Sequence, residues 1–271
     1  TKSDVVGNFG TFTSTGAGHT MGVSSTWYLP PERGRRSYIT AGIEDKVFNA
    51  TVINDQTIGL PRRSRPVTLG YSARTESDAS TWGYNMDFAA NTAGGDHDDL
   101  ASYQTEDPRI TTVHWKAIRG AINYAAPFAT SWMWLVRSQF QYSPDVLLSG
   151  EQFGLGGLTT VRGTRIDRPI TADKGLAATL EITTPELRPA LRAIGFADAG
   201  WLVNNSPNGQ NKPPSDRLVS LGVGLRYGAD PFAAALDYGR IVVGSRVPLT
   251  LNSASPQRGN DRLYVSFSWR F

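Results

Sequence analysis

Apolar and polar residues alternate along the last segment of this chain. Every second position of 263–271 is apolar and the positions between are polar: Leu263, Val265, Phe267, Trp269 and Phe271 against Tyr264, Ser266, Ser268 and Arg270. Successive side chains of a β-strand point to opposite faces, so this segment predicts a strand with one apolar and one polar face. The same alternation recurs at 67–71, 82–88, 176–182 and 219–227, and no comparable stretch has a helical period.

This pattern predicts about twelve strands separated by two classes of connection. The predicted strands are 1–6, 18–29, 37–49, 66–77, 80–92, 111–127, 131–144, 174–185, 191–204, 217–228, 231–242 and 261–271. Short connections, such as 74–80 and 228–231, alternate with long ones, such as 93–110 and 145–173. Short turns at one end and long loops at the other are typical of a transmembrane antiparallel β-barrel. We therefore predict an all-β fold and one domain over residues 1–271.

Composition is compatible with a barrel and excludes a helical membrane protein. The mean hydropathy is −0.30, and no run approaches the roughly 18 apolar residues that a spanning helix needs. The apolar residues of the strands are expected to face lipid, among them Trp82, Tyr84, Trp132, Trp134, Leu221 and Phe267. The polar strand residues are expected to line a wet lumen: Glu44, Lys46, Arg74, Asp87, Arg119, Arg137, Gln139, Glu181, Asp198, Arg226, Asp237 and Arg270.

Charge and cysteine content exclude several other classes. The net charge of +3 is too small to indicate nucleic-acid binding, and the basic cluster at Arg62, Arg63 and Arg65 is short. The chain has no Cys, so it has neither disulfides nor a thiolate metal site. We expect no metal and no cofactor.

Two motifs stand out in the second half of the chain. A Gly-rich stretch, 152–163, lies in the longest loop and contains Val161, Arg162 and Gly163. It lacks the strand-to-helix context and the Lys-Ser/Thr pair of a phosphate-binding loop. The second motif, Phe196-x-Asp198-x-Gly200, lies in a predicted strand, where Asp198 is on the face opposite to Trp201 and should point into the lumen.

On these two motifs and on the last strand, which ends at Phe271, the chain resembles the outer-membrane transporters of two-partner secretion. These are the haemolysin and filamentous-haemagglutinin secretion/activation proteins, part of the superfamily of barrels with polypeptide-transport-associated (POTRA) domains. The segments 42–46 and 102–109 are also similar to family sequence. One departure is visible, because the family motif usually continues with Tyr or Phe where this chain has Thr164.

The resemblance implies a sixteen-stranded barrel preceded by a plug helix and two POTRA domains. The chain would then begin near the end of the fifth strand, without the POTRA domains, the plug helix and the first strands. It would lie in the outer membrane of a Gram-negative bacterium and secrete a large unfolded partner exoprotein, and it would not be an enzyme. Its other partners would be outer-membrane lipid and the barrel assembly machinery.

The resemblance also implies roles for the motif residues. The loop 145–173 would fold into the lumen, where Arg162 would pair with Asp198. Without the resemblance, each of these two residues could equally be a solvated charge. Phe267, Trp269 and Phe271 would form the signal that the assembly machinery recognises.

Two other functions remain open from the residues alone. A hydrolase barrel would place its catalytic groups in the loops, and the candidates are His19, His97 and His114. Of these, His97 lies among acidic residues that could mimic a metal or acid-base cluster: Asp96, Asp98 and Asp99. A passive porin is the second alternative, although its constriction loop is not expected to carry the two motifs.

Overall fold

The computed structural model of the chain describes residues 18–49, 51–53, 56–58 and 60–270. The predicted strand 1–6 and the terminal Phe271 lie outside the described residues. The strands are β1 (Gly18–Tyr28), β2 (Arg35–Phe48), β3 (Thr51–Ile53), β4 (Gln56–Ile58), β5 (Arg62–Ser64), β6 (Pro66–Glu76), β7 (Thr81–Asn91), β8 (Lys116–Ala129), β9 (Trp132–Tyr142), β10 (Phe153–Leu155), β11 (Ile170–Ala172), β12 (Lys174–Thr183), β13 (Leu191–Val203), β14 (Ser215–Ala229), β15 (Phe232–Val243) and β16 (Asp261–Trp269). One α-helix, α1 (Leu100–Glu106), and a 3₁₀ turn, Ser149–Glu151, lie between strands.

Twelve of these strands form one antiparallel sheet. Its order is β1-β2-β6-β7-β8-β9-β12-β13-β14-β15-β16, and β5 pairs with β2. Long strands that follow each other in the chain are neighbours in the sheet, so the connections alternate between its two edges. The edge with the short connections, such as 77–80 and 230–231, is called the turn edge below; the edge with the long ones, such as 92–115 and 143–173, is called the loop edge. The all-β, antiparallel prediction is confirmed.

The two faces of the sheet differ as the alternation predicts. On β14, Leu221 and Val223 are 51% and 62% exposed, whereas Ser220 on the other face is fully buried. The residues predicted to face outward are on the exposed, apolar face, which we call the outer face: Trp82, Tyr84, Trp132, Trp134, Leu221 and Phe267. The polar side chains and the loop 143–173 lie on the other face, called the inner face.

Two local features at the loop edge differ from the predicted strand pattern. The short helix α1 was not predicted; Asp99 caps it by accepting a hydrogen bond from the Ser102 N–H at 2.8 Å. The strand predicted over 111–127 begins only at Lys116, because Trp115 is drawn into a buried apolar cluster instead of continuing the sheet. Neither local feature has the period-two signal from which the strands were predicted.

Among the described residues, no helix combines the length and the apolar character needed to cross a bilayer.

Buried apolar side chains form two clusters. The first lies at the loop edge, where the loop 92–115 packs against the start of the loop 143–173 around Tyr103, Trp115 and Leu147. The second lies on the inner face, where side chains of the loop 143–173 contact β12 to β15. The loop 143–173 takes part in both clusters, so it is packed against the rest of the protein at its start and along the hairpin.

Candidate functional site

The loop 143–173 folds as a hairpin against the inner face. Its strands β10 and β11 pair with each other through Phe153↔Ala172 and Leu155↔Ile170. Phe153, Leu155 and Val161 are buried in a cluster with side chains of the sheet: Ala177, Leu202, Leu218 and Ile241. Burial of apolar area thus stabilises the position of the loop on the inner face, independently of any charged contact.

Glycines on the inner face of the sheet leave room for the loop. A Cβ added to Gly200 would lie 2.5 Å from Cδ1 of Leu155, and one added to Gly239 would lie 2.9 Å from the backbone N of Gly163. Gly163 itself has φ +96°, a conformation that strains other residues. The Gly200 of the second motif therefore serves close packing of the loop.

Arg162 is a loop residue whose charged side chain is buried against the inner face. Its side chain is 2% exposed. Nε and Nη2 donate to Oδ2 and Oδ1 of Asp198 at 2.8 and 2.9 Å, a bidentate pair, and the backbone N–H of Arg162 donates to Oδ2 at 3.0 Å. Parallel charge-assisted bonds of this kind fix orientation as well as position.

Arg162 also reaches two carboxylates on other strands. Its Nη1 lies 3.1 Å from Oε2 of Glu181 on β12 and 3.4 Å from Oδ1 of Asp237 on β15. Both carboxylates are buried. Arg226 on β14 also neutralises Asp237, because its Nη2 donates to the same Asp237 oxygen at 2.8 Å. Three buried carboxylates and two arginines therefore form one network across β12 to β15.

The aromatic residue of the second motif lies under the guanidinium. Cζ of Arg162 is 3.3 Å from the ring centroid of Phe196. The planar guanidinium stacks on an aromatic face and donates in its own plane to carboxylates at the same time, which a lysine ammonium cannot do. Phe196 and Asp198 thus act on Arg162 from two directions.

The residues after Arg162 reach the last strand. The N–H of Gly163 donates to the Tyr264 hydroxyl oxygen at 2.9 Å, and that hydroxyl donates to the carbonyl of Thr164 at 2.6 Å. Thr164, at the position where the resemblance implies an aromatic residue, is buried, and its Oγ1 accepts from the N–H of Gly157 at 2.7 Å. At this position the loop tip is held by hydrogen bonds to β16 and within the loop.

A second ionic cluster holds the start of the loop. The buried Glu151 accepts from Lys46 Nζ at 3.0 Å and Ser64 Oγ at 3.2 Å, while its other oxygen accepts from Arg119 Nη2 at 2.9 Å. Burial raises the pKa of the Glu151 carboxyl, but Lys46 and Arg119 outweigh it and hold that pKa below its ordinary value. Here the loop supplies the anion and the sheet supplies the cations.

The end of the loop is fixed by a buried carboxylate. Asp173 accepts from the N–H groups of Leu147 and Asn205, both at 2.8 Å, and so joins both ends of the loop to the neighbouring loop 204–214. Burial raises the pKa of Asp173, although these two backbone N–H groups favour its charged form.

The structure brings both sequence motifs together. Val161, Arg162 and Gly163 contact the inner face beside Phe196, Asp198 and Gly200. Sequence reasoning placed Glu181 and Asp237 in the lumen without recognising them as partners of Arg162, and it missed Glu151, Gly239 and Tyr264. The proposed role of the pairing in secretion stays a prediction.

The other candidate residues lie elsewhere. Phe267 and Trp269 are on the outer face, where both rings contact Phe232, and Phe271 lies outside the described residues. The basic cluster is paired with acids, Arg62 with Glu106 and Arg63 with Asp45.

Two of the three acidic residues around His97 have structural partners. Asp98 accepts from the Tyr103 hydroxyl at 2.8 Å and from the Gly94 N–H at 2.9 Å, and Asp99 caps α1. Within the described residues, no group of three or more His, Asp or Glu side chains is arranged to hold a metal ion.

Comparisons with known proteins agree with this architecture. The family model of the haemolysin secretion/activation protein ShlB/FhaC/HecB matches residues 1–227. CdiB from Escherichia coli is similar in structure, with a TM-score of 0.75 and 20% identity over 93% of this chain and 45% of that chain. CdiB from Acinetobacter baumannii has a TM-score of 0.69 and 16% identity over 92% of this chain and 42% of that chain.

A more distant structural match is BamA from Haemophilus ducreyi lacking POTRA domains 1–3. Its TM-score is 0.55 and its identity 12%, over 92% of this chain and 54% of that chain. No curated protein matches the sequence.

The structural neighbours show the fold, which is that of outer-membrane β-barrel proteins of Gram-negative bacteria. This chain spans less than half the length of the two CdiB chains. The family match extends over residues 1–227, which include both motifs. The chain therefore belongs to the haemolysin secretion/activation protein family ShlB/FhaC/HecB.

Proposed function

We propose that this chain is part of an outer-membrane pore that secretes a large unfolded partner exoprotein in two-partner secretion. In this proposal residues 1–271 are the C-terminal part of the transmembrane barrel, and the outer face contacts lipid. Family membership supports the secretion role, and the two different faces of the sheet support the membrane location.

The observation that carries the mechanism is the buried Arg162 network on the inner face. A long loop that is free in the lumen would keep its conformational entropy, so a fixed position needs strong anchors. Arg162 provides one, with a bidentate bond to Asp198 and further contacts to Glu181 and Asp237. In our proposal this anchor sets the arrangement of the loop in which the exoprotein can pass.

Transport in this form needs no covalent chemistry, metal or cofactor from the chain. A hydrolase would require a nucleophile and a base within hydrogen-bond reach, and Asp98 and Asp99 near His97 are engaged in loop closure and helix capping instead. A passive porin would not require an arginine of its constriction loop to be buried among three carboxylates.

Secretion measured at equal barrel abundance tests this proposal. We expect Arg162→Ala and Asp198→Ala each to leave the barrel folded but to reduce exoprotein release strongly. Breaking a buried pair costs about 3–5 kcal/mol, and a wet lumen lowers that figure. The double variant should be little worse than either single variant, because both remove the same anchor. Normal secretion by both single variants would contradict the mechanism.

We also propose that Phe267, Trp269 and Phe271 form the signal by which the assembly machinery recognises the last strand. The exposed outer-face position of Phe267 and Trp269 supports this role. An unpaired edge strand can pair with other chains and aggregate, so the last strand has to find its partner strand during assembly. Deleting Phe271 should lower the amount of folded barrel in the outer membrane, and an unchanged folding yield would argue against the signal.

A further inference from the structure

The two edges of the outer face carry different side chains. Near the turn edge the exposed residues are aromatic: Trp82, Trp132, Trp134, Tyr227, Phe232 and Trp269. Near the loop edge, cations occupy the same face: Lys116 on β8, Lys174 on β12, Arg217 on β14 and Arg240 on β15. Each of these cations shares the parity of exposed apolar residues on its own strand, as Lys116 does with Ile118 and Lys174 with Leu176.

Aromatic residues lie on the strands between the first three cations, whereas Arg240 on β15 is directly beside β14. Tyr142 on β9 lies between Lys116 and Lys174, and Trp201 on β13 lies between Lys174 and Arg217. Lys174 Nζ is 5.0 Å from the centroid of the Tyr142 ring. Because adjacent strands are about 4.8 Å apart, Lys116, Lys174 and Arg217 are spaced by about 10 Å across the sheet, and Arg240 lies one strand from Arg217.

The row runs obliquely across the strands, as a line of constant depth in a membrane must. Tyr142 pairs with Ile118, which is nearer the turn edge than Lys116. Trp201 pairs with Leu176, which is likewise nearer the turn edge than Lys174.

The same direction continues on the next strands. Arg217 pairs with Trp201, and Arg240 pairs with Leu221, which is nearer the turn edge than Arg217. The row therefore steps toward the turn edge from β8 to β15 and does not step back. Strands tilted by about 35–45° in a barrel produce this shift at one membrane depth.

These cations differ from those of the inner face in their partners. Lys116, Arg217 and Arg240 are exposed and have no ion pair with a carboxylate among the described residues. By contrast, three arginines of the inner face, Arg119, Arg162 and Arg226, contact carboxylates. A row of cations that have no ion pair with a carboxylate of the described residues, at the border of an apolar surface, fits an anionic partner at that border.

We propose that this row, Lys116, Lys174, Arg217 and Arg240, binds the phosphates of anionic lipid headgroups in the leaflet on the loop side of the membrane. The proposal rests on the proposed function, since it requires the outer face to lie in a bilayer. Basic residues at a membrane interface attract anionic headgroups, while aromatic rings beside them occupy the headgroup level. The turn edge, with its aromatic border, would not select an anionic lipid.

A lipid-dependent stability measurement on the full-length natural protein tests this inference. The protein is reconstituted in phosphatidylcholine vesicles alone, with bis-phosphorylated lipid A, or with the same lipid without its phosphates. We expect the phosphorylated lipid to raise the thermal unfolding midpoint, and the combined variant Lys116→Gln, Lys174→Gln, Arg217→Gln and Arg240→Gln to lose that rise. Added salt should weaken the rise in the wild type.

A matched variant removes the same number of cations from the turn edge and its turns: Arg35→Gln, Arg74→Gln, Arg188→Gln and Arg192→Gln. It should keep the rise. The inference is overturned if the loop-edge variant keeps the rise, if the turn-edge variant loses it equally, or if free inorganic phosphate or the dephosphorylated lipid reproduces it. Failure to insert into any vesicle would contradict the proposed function, whereas insertion without the phosphate-dependent rise contradicts this inference alone.

Discussion

At the scale of single residues, the loop tip depends on a close approach between two backbones. A Cβ on Gly239 would lie 2.9 Å from the Gly163 N and 3.0 Å from the Arg162 carbonyl carbon, so either the wall or the tip would have to move. We expect Gly239→Ala to displace Arg162 from its carboxylates and to reduce secretion, with the barrel still folded. The measurement is exoprotein release at equal barrel abundance.

Gly195 provides the matched control for that substitution. It is also a strand glycine, but a Cβ added there meets no atom within 4 Å. Gly195→Ala should secrete like the wild type. Equal loss in both variants would mean that strand glycines matter for folding and not for the loop tip.

Glu151 makes the anchoring of the loop dependent on pH. Its pKa is below the ordinary value in the folded protein, so its contribution to stability is present above the pKa of the unfolded chain and disappears as the pH falls through the folded pKa. Proteolysis of the loop 143–173 should therefore rise on acidification in the wild type.

Glu151→Gln should show faster proteolysis of the loop already at neutral pH and little further change in acid. The variant keeps the size of the side chain and removes the charge that faces Lys46 and Arg119. A wild-type loop that stays equally protected across the acidic range would contradict a role for this charge.

At the scale of elements, α1 shows what a short helix requires. The helix has one polar cap, Asp99, whose carboxylate accepts from the Ser102 N–H and Oγ. Replacing an N-cap of this type costs about 1 kcal/mol. Asp99→Ala should therefore speed hydrogen exchange in 100–106 and leave the strands unchanged, whereas Asp96→Ala, an exposed acid of the same loop, should alter neither.

The elements also show how far the sequence carries a prediction. Strands such as β14 were predicted because alternation is a local signal that burial on one face enforces. The start of β8 was misplaced because Trp115 is apolar in a loop as well as in a strand, and only the packing of three segments around it decides between them. The helix α1 buries a single aromatic residue, so its sequence has no helical period of apolar residues from which it could be predicted.

The site was predictable only in part, for a reason of geometry. Parity placed Asp198, Glu181 and Asp237 on one face, but the sequence does not state which loop residue reaches them. The resemblance to the family supplied the Arg162–Asp198 pairing. Glu151 has neither strand parity nor a motif, and its role follows only from the fold, which brings Lys46 and Arg119 to it from distant positions in the chain.

At the scale of the whole molecule, the loop 143–173 ties opposite parts of the sheet together with opposite charges. Its Glu151 contacts cations on β2 and β8, and its Arg162 contacts anions on β12, β13 and β15. An inverted orientation of the loop would place like charges together. Charge thus specifies the direction in which the loop crosses the inner face, while apolar burial supplies the attraction.

The outer face contacts lipid if the sheet spans a membrane and water if it does not. Val223 is 62% exposed on β14, opposite Tyr238 of β15. If this face contacts lipid, Val223→Arg should destabilise the folded barrel by about 2–4 kcal/mol near the middle of the bilayer, measured by urea unfolding in lipid vesicles. Ser266→Arg adds the same charge on the inner face, where water is available, and should cost little. If Val223→Arg left the stability unchanged and Ser266→Arg lowered it, the assignment of the two faces would be reversed. The proposal that the outer face contacts lipid would then be contradicted.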